Sequence, residues 1–107
     1  MSKAEVRQIE KQIETIKEQL QEIGDMRPGS LTQQYKVPKE KIGPYYQLSY
    51  MHKMKSRTEY VRPQFVAQIK QQVASYKRFK KLTERWIALA IQHSKLTIEI
   101  AKKKSSK

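Results

Sequence analysis

The sequence predicts an α+β fold: an N-terminal coiled-coil helix, a small three-stranded antiparallel sheet and a long C-terminal helix. Three observations predict it. Aliphatic residues recur at helical spacing before residue 24, apolar and polar residues alternate between 27 and 62, and no Gly or Pro follows Pro63. The chain has 107 residues, which is enough for one domain, 1–107.

Several classes of protein are excluded at once by the composition. The absence of Cys excludes disulfides and thiolate metal sites. No apolar run approaches the roughly 20 residues that span a bilayer, and the charged residues 1–20 do not resemble a signal peptide. We therefore expect a cytoplasmic protein.

The first predicted helix covers residues 2–24. Ser2 and Glu5 have the spacing of a capping box, and Gly24 followed by Pro28 ends the helix. Aliphatic side chains with alternating spacings of three and four form a coiled-coil seam: Val6, Ile9, Ile13, Ile16, Leu20 and Ile23. A helix of this length would expose the whole seam if it stood alone, so it needs a partner helix.

The second predicted helix, residues 63–101, supplies that partner. Its second half carries a matching seam formed by Leu82, Trp86, Leu89, His93, Leu96 and Ile100. Two successive steps of three, from Tyr76 to Phe79 and to Leu82, interrupt the pattern as a stammer does, and divide the helix into two halves. Residues 102–107 are predicted to be a flexible Lys-rich tail.

A second apolar stripe, Ile87, Ile91 and Ile98, lies off the main seam of this helix. A helix that is apolar on two sides is expected to be buried on two sides. A second copy of the chain is the economical way to cover it, so we predict a homodimer built as a helical bundle with these residues in the interface. The alternative is a monomeric hairpin that leaves them exposed.

Between the helices, residues 27–62 predict three strands, at 31–37, 45–52 and 57–61, with a connection at 38–44. Alternation places Tyr46, Leu48 and Tyr50 on one face of the sheet, under the C-terminal helix. The opposite, open face is expected to carry Thr32, Gln34, Lys36, Tyr45, Gln47, Ser49, Arg57 and Glu59. Tyr60 is expected under the helix with Tyr46 and Tyr50.

The charge is strongly asymmetric. Lys and Arg number 23 against ten Asp and Glu, a net charge of +13. Residues 1–24 carry a net −1, residues 25–62 a net +5 and residues 63–107 a net +9. A nearly neutral N-terminal segment joined to a basic remainder indicates a polyanionic partner, most often nucleic acid.

Three groups of side chains are candidates for binding that partner. They lie on the open sheet face, on a basic turn around residue 53 and along the C-terminal helix, where cations hold phosphates and polar or aromatic groups contact bases. The candidates are Lys36, Tyr45, Gln47, Lys53, Lys55, Arg57, Lys70, Lys77, Arg78 and Lys81.

Catalysis and metal binding are not predicted. His52 and His93 have no further ligand at metal-binding spacing, and the three Gly residues are isolated, so no phosphate-binding loop is present. The Glu residues of the first helix alternate with Lys and Arg, as on a solvated ion-paired helix face. We expect no enzyme activity, no catalytic residues, no metal and no cofactor.

Three motifs carry a family resemblance: RPGSL at residues 27–31, GPYYxLSY at 43–50 and KxxTxYV at 55–61. With Tyr76, Phe79 and Leu82 they resemble a family of small prokaryotic proteins of unknown function found near mobile elements and phages, over about residues 27–96. Many relatives carry a Cys cluster, suggesting a metal knuckle, between the first two strands. Residues 36–42 here contain no Cys, so that role is absent. The resemblance implies a protein that is prokaryotic or phage-encoded and that would associate with the nucleoid if it binds DNA.

The arrangement of three strands and a helix is also similar to the arm-type DNA-binding domains of tyrosine recombinases, which place a sheet in the major groove. This is an analogy of fold. The leading hypothesis is a dimeric DNA-binding accessory or regulatory factor of a mobile element or phage, with duplex DNA favoured over RNA. The alternatives are a protein-interaction factor, an inhibitor or cofactor that docks on a nucleic-acid enzyme or defence complex, and an RNA-binding protein.

Overall fold

The computed structural model describes residues 3–37 and 42–105. In chain order the elements are helix α1 (Lys3–Gln21), strands β1 (Ser30–Val37), β2 (Ile42–His52) and β3 (Lys55–Val61), a 3₁₀ turn (Pro63–Phe65) and helix α2 (Val66–Ser105). The strands form one antiparallel sheet in the order β1-β2-β3. The predicted α+β fold is therefore confirmed.

Helix α1 ends at Gln21 and not at residue 24, β1 and β3 begin at Ser30 and Lys55 and not at residues 31 and 57, and α2 begins at Val66 after the 3₁₀ turn. Two further elements extend beyond their predicted bounds. Strand β2 begins at Ile42 and not at Tyr45, because the ladder continues through the pairs Val37 with Ile42 and Tyr35 with Pro44. Helix α2 continues to Ser105, so Lys102–Lys104 are helical and not a flexible tail. No helix breaker follows residue 101, and three Lys in the last turn interact favourably with the negative end of the helix dipole.

The chain divides into two compact units. The helical unit comprises Met1–Ile23 and Phe79–Lys107, and the sheet unit comprises Gly24–Arg78. The division falls inside α2, between Arg78 and Phe79, within the stammer that the sequence predicts. Each half of α2 thus belongs to a different unit.

In the helical unit, α1 lies antiparallel to the second half of α2. Glu10 Oε2 is 3.0 Å from His93 Nε2, and Lys17 Nζ lies 5.5 Å from the centre of the Trp86 ring. Every position of the two predicted seams is buried or half-buried, with Ile9, Ile16 and Leu96 the most enclosed. The predicted pairing of the two seams is confirmed.

In the sheet unit, the first turns of α2 cover one face of the sheet. Leu48, at the centre of β2, is fully buried and packs with Val61, Val66 and Val73. Leu31, Tyr46, Tyr50 and Ile69 surround this cluster. The prediction that Tyr46, Leu48 and Tyr50 lie under the helix is confirmed.

The RPGSL segment, residues 27–31, packs closely against this core. Gly29 has φ = +135°, and a Cβ at this position would lie 2.8 Å from the carbonyl oxygen of Ser49 and 2.9 Å from Leu48 Cδ1. Two residues earlier, the Arg27 backbone N–H donates to the Gln72 carbonyl at 3.0 Å. Only glycine combines this backbone conformation with such a close approach to β2, so the motif has a structural role.

The Arg27 side chain closes a polar network on the same face of the sheet. Its guanidinium donates to Glu59 Oε2 at 2.5 Å and lies 5.1 Å from the centre of the Tyr50 ring. The Tyr50 hydroxyl donates to Glu59 Oε1 at 2.8 Å. Both donors therefore stabilise the Glu59 carboxylate.

The register of β3 corrects three of the predicted side-chain positions. Arg57 pairs with Tyr50 and Glu59 with Leu48, so both lie on the face that α2 covers and not on the open face. Tyr60 pairs with Gln47 and is 62% exposed, so it lies on the open face and not under the helix. The physical reason is the two-residue connection between His52 and Lys55, which fixes the pairing of the two strands.

Within the part of the chain that the structure describes, neither helix has the length and apolarity needed to cross a membrane.

Candidate nucleic-acid interface

The open face of the sheet is polar and aromatic. The register brings together uncharged side chains from all three strands: Ser30, Thr32, Gln34, Tyr45, Gln47, Ser49, Met51, Ser56, Thr58 and Tyr60. Among the side chains described on this face, none is charged. Tyr45 and Gln47 lie here as predicted, whereas the predicted side chain of Lys36 lies outside the described residues.

Two tyrosines form a pair on this face. The rings of Tyr45 and Tyr60 are 6.3 Å apart at an interplanar angle of 40°. Tyr60 is exposed and Tyr45 is half-buried, so the pair combines an anchored ring with an accessible one. The accessible Tyr60 ring of this pair can stack on a nucleic-acid base.

Beyond the open face, β2 and β3 continue as a two-stranded ribbon. Strand β1 ends its pairing at Ser30 with Ser49, whereas β2 and β3 pair three residues further, as far as His52 with Lys55. All residues from 51 to 58 are exposed. We call residues 50–57 the basic ribbon, because it carries the candidates Lys53, Lys55 and Arg57 without an acidic residue.

The tip of the basic ribbon is a two-residue turn. Lys53 and Met54 connect the two strands with φ of 50° and 65°. Positive φ at both central residues is the requirement of a type I′ turn, which matches the twist of the strands that it joins. The turn presents the Lys53 and Met54 side chains to solvent.

A second basic group lies on the first half of α2. Lys70 and Lys77 line an open groove with Ser30, Leu31, Val73 and Ala74. The neighbouring Arg78 is exposed at the end of the sheet unit. Lys81, predicted with them, belongs to the helical unit.

The charge of the sheet unit is strongly positive. Gly24–Arg78 contains eleven Lys and Arg against three Asp and Glu, a net +8. One of the three acids, Glu59, is held by Arg27, and the hydrogen bonds from Arg27 and then from Tyr50 lower the pKa of its carboxyl. Its charge is therefore balanced locally.

The described residues contain no group of three or more His and acidic side chains that could hold a metal ion. His93 lies against Glu10 in the helical unit, and His52 is exposed on the basic ribbon.

Sequence reasoning missed two residues of this surface. Tyr60 was placed on the wrong face because the parity of β3 depends on the length of the preceding turn. Met54 gave no signal, since type I′ turns usually carry Asn or Gly and residues 53 and 54 are neither. Alternation of the strands on both sides of the turn was the only usable clue.

Comparison with known proteins adds a family and no activity. Residues 6–71 match the family described as Domain of unknown function (DUF6788), and this match covers more than half of the chain. It extends from α1 into the first half of α2 and agrees with the resemblance to a family of unknown function. No curated protein and no solved structure matches the chain.

Proposed function

The chain belongs to the DUF6788 family of domains of unknown function, and we propose that it is a non-enzymatic nucleic-acid-binding protein with duplex DNA as its ligand. The observation that carries the proposal is the +8 charge of the sheet unit. Many of its cations are exposed, on the basic ribbon and on α2. Lys and Arg that neutralise phosphates release counterions, which drives binding without any requirement for sequence.

The chemistry of each surface indicates which part of the nucleic acid it would contact. Lys53, Lys55 and Arg57 on the basic ribbon, and Lys70, Lys77 and Arg78 on α2, would hold phosphates. The uncharged open face, with Gln47, Ser49 and Thr58, would contact base edges, since hydroxyl and amide groups can both donate and accept. Few of its side chains are long enough to read bases, so we expect weak sequence preference.

We further propose that the protein acts as a homodimer. Ile87, Ile91 and Ile98 on α2 are 59%, 52% and 52% exposed, although α1 covers the neighbouring seam of the same helix. With Ser94 they follow spacings of four, three and four, which is a coiled-coil pattern. A second copy supplies the same stripe, so the two stripes can pack together.

The biological role that fits these properties is an accessory or regulatory factor of a mobile element or phage. Support for this part of the proposal comes from the motif resemblance alone.

A second candidate function is binding of RNA or single-stranded DNA. The Tyr45–Tyr60 pair favours it, because exposed aromatic rings on a sheet stack with unpaired bases. In that case the open face would carry most of the affinity and the basic ribbon would follow the backbone.

One experiment separates these possibilities. The affinity of the full chain is measured for a duplex, a single strand and a structured RNA over a salt series. The proposal expects tightest binding to the duplex and a linear fall of log K with log salt. Preference for single strands supports the second candidate. Failure to bind any of the three at low salt would overturn both, and a pull-down would then test for a protein partner.

A further inference from the structure

Met54, at the tip of the basic ribbon, is 94% exposed. This is the largest exposed fraction among the large apolar side chains that the structure describes. The side chain makes no contribution to the core of the sheet unit. Covering a flexible apolar side chain that is in full contact with water lowers the free energy, and therefore favours the binding of a partner.

The backbone at this position is strained. Lys53 and Met54 are the only non-glycine residues with positive φ in the described chain. Side chains with a Cβ disfavour this conformation, and Asn-Gly would form the same turn without strain. Neither solubility nor turn chemistry therefore explains a methionine here, and strain of this kind is typical of sites that act on a ligand.

The surroundings of Met54 indicate what that ligand is. Lys53 and Lys55 stand on either side of it in the chain, and residues 51–58 contain no acidic side chain. The ribbon continues past β1 for three residue pairs, about 10 Å at 3.4 Å per residue. An apolar tip between cations at the end of a β-ribbon suits the DNA minor groove, where some β-ribbon proteins bind and where apolar side chains are inserted between base steps.

We propose that Met54 is a wedge that enters the minor groove, inserts between two base pairs and kinks the duplex, while Lys53 and Lys55 contact the phosphates on the two sides. Methionine is among the side chains that proteins insert in this way. The inference rests on the proposed function and names its substrate more narrowly: a duplex with an easily unstacked step, such as TA or CA/TG.

The test uses Met54→Gly in the full chain, because this change acts in opposite directions on folding and on binding. Glycine relieves the positive φ, so the melting temperature rises. Loss of the wedge lowers the affinity for a duplex with a central TA step about tenfold and removes the bend measured by energy transfer between its ends. A fall in binding together with a rise in stability excludes misfolding as the cause.

Two variants serve as controls. Met54→Leu keeps an apolar wedge and is expected to keep the bend. Met26→Ala removes a methionine that is 42% exposed and lies outside both the open face and the basic ribbon, and is expected to leave affinity and bend unchanged. We also compare the TA duplex with a duplex whose centre is a stiff A-tract. The unchanged protein is expected to bind the A-tract duplex more weakly than the TA duplex, whereas Met54→Gly is expected to bind the two duplexes with equal affinity.

The outcomes distinguish this inference from the proposed function. The proposed insertion of Met54 is wrong if Met54→Gly binds and bends the TA duplex as the unchanged protein does, or if the unchanged protein binds the duplex without bending it. In either case the proposed phosphate-binding function stands. If the unchanged protein binds no nucleic acid at low salt, the proposed function fails and the wedge fails with it.

Discussion

Glu59 receives hydrogen bonds from Arg27 and Tyr50, and these lower the pKa of its carboxyl in the folded state. The group therefore contributes stability above the ordinary Glu pKa of about 4.3, and this contribution is lost as the pH falls through the lowered value. Because the side chain is 43% exposed, solvent screening keeps the contribution below about 1 kcal/mol.

We predict that Glu59→Gln is less stable than the unchanged protein at pH 7 and that the difference shrinks by pH 3. Urea unfolding at the two pH values measures it, and the difference between the two proteins removes the effects of other carboxylates. If the free energies of unfolding of the two proteins change with pH in the same way, the charge of Glu59 contributes nothing to stability.

Gly29 is the second residue whose role the geometry specifies. We predict that Gly29→Ala lowers the free energy of unfolding by about 1–3 kcal/mol, because the positive φ is strained for alanine and its Cβ would meet the β2 backbone. Gly24→Ala is the matched control: nothing lies within 4 Å of a Cβ there, so we expect a change within about 0.5 kcal/mol. Equal effects in chemical denaturation would contradict this account.

At the scale of elements, patterns within single segments predicted the helices, the pairing of their seams and the buried face of β2, whereas the register between β2 and β3 was not predicted. The seams of α1 and α2, and the buried face of β2, were predictable because helical spacing and strand alternation are properties of one stretch of chain. The positions of Arg57 and Tyr60 depend on a turn of two residues without Asn or Gly, and a shift of one residue exchanges the two faces. The candidate site was therefore predicted in composition but only partly in geometry.

The pairing of α1 with α2 is tested at its most enclosed residue. Ile16 is 2% exposed, and we predict that Ile16→Ala lowers the free energy of unfolding by about 2–4 kcal/mol through lost burial and a cavity. The control Gln8→Ala changes an exposed side chain of the same helix, and is expected to cost clearly less. Thermal unfolding followed by helical circular dichroism measures both, and equal losses would show that the seam is not the core of this unit.

At the scale of the whole molecule, the exposed stripe on α2 determines the expected oligomeric state. We predict that the unchanged protein sediments as a dimer and that Ile91→Glu combined with Ile98→Glu sediments as a monomer or aggregates, because two charges would be buried in the interface. The double change Ile91→Ala with Ile98→Ala weakens association without adding charge. A stable monomer of the unchanged protein would refute the proposed dimer.

The net charge of +13 predicts that binding to nucleic acid depends strongly on salt concentration. Each Lys that contacts a phosphate of duplex DNA adds about 0.9 to the slope of log K against log salt. We therefore predict that Lys53→Ala, Lys55→Ala, Lys70→Ala and Lys77→Ala each lower the slope by about one, almost regardless of the sequence of the duplex. Lys11→Ala removes an exposed charge from the nearly neutral α1 and is expected to leave the slope unchanged.

The pattern among these variants distinguishes local contact from general attraction. If all five Lys lower the slope equally, the charge of the whole chain attracts the polyanion and no interface is specified. If the two ribbon Lys and the two α2 Lys lower it while Lys11 does not, the phosphates lie against the sheet unit. Tight binding that persists at high salt would show that phosphate contacts do not supply the affinity, and would favour a partner recognised through apolar groups such as the α2 stripe.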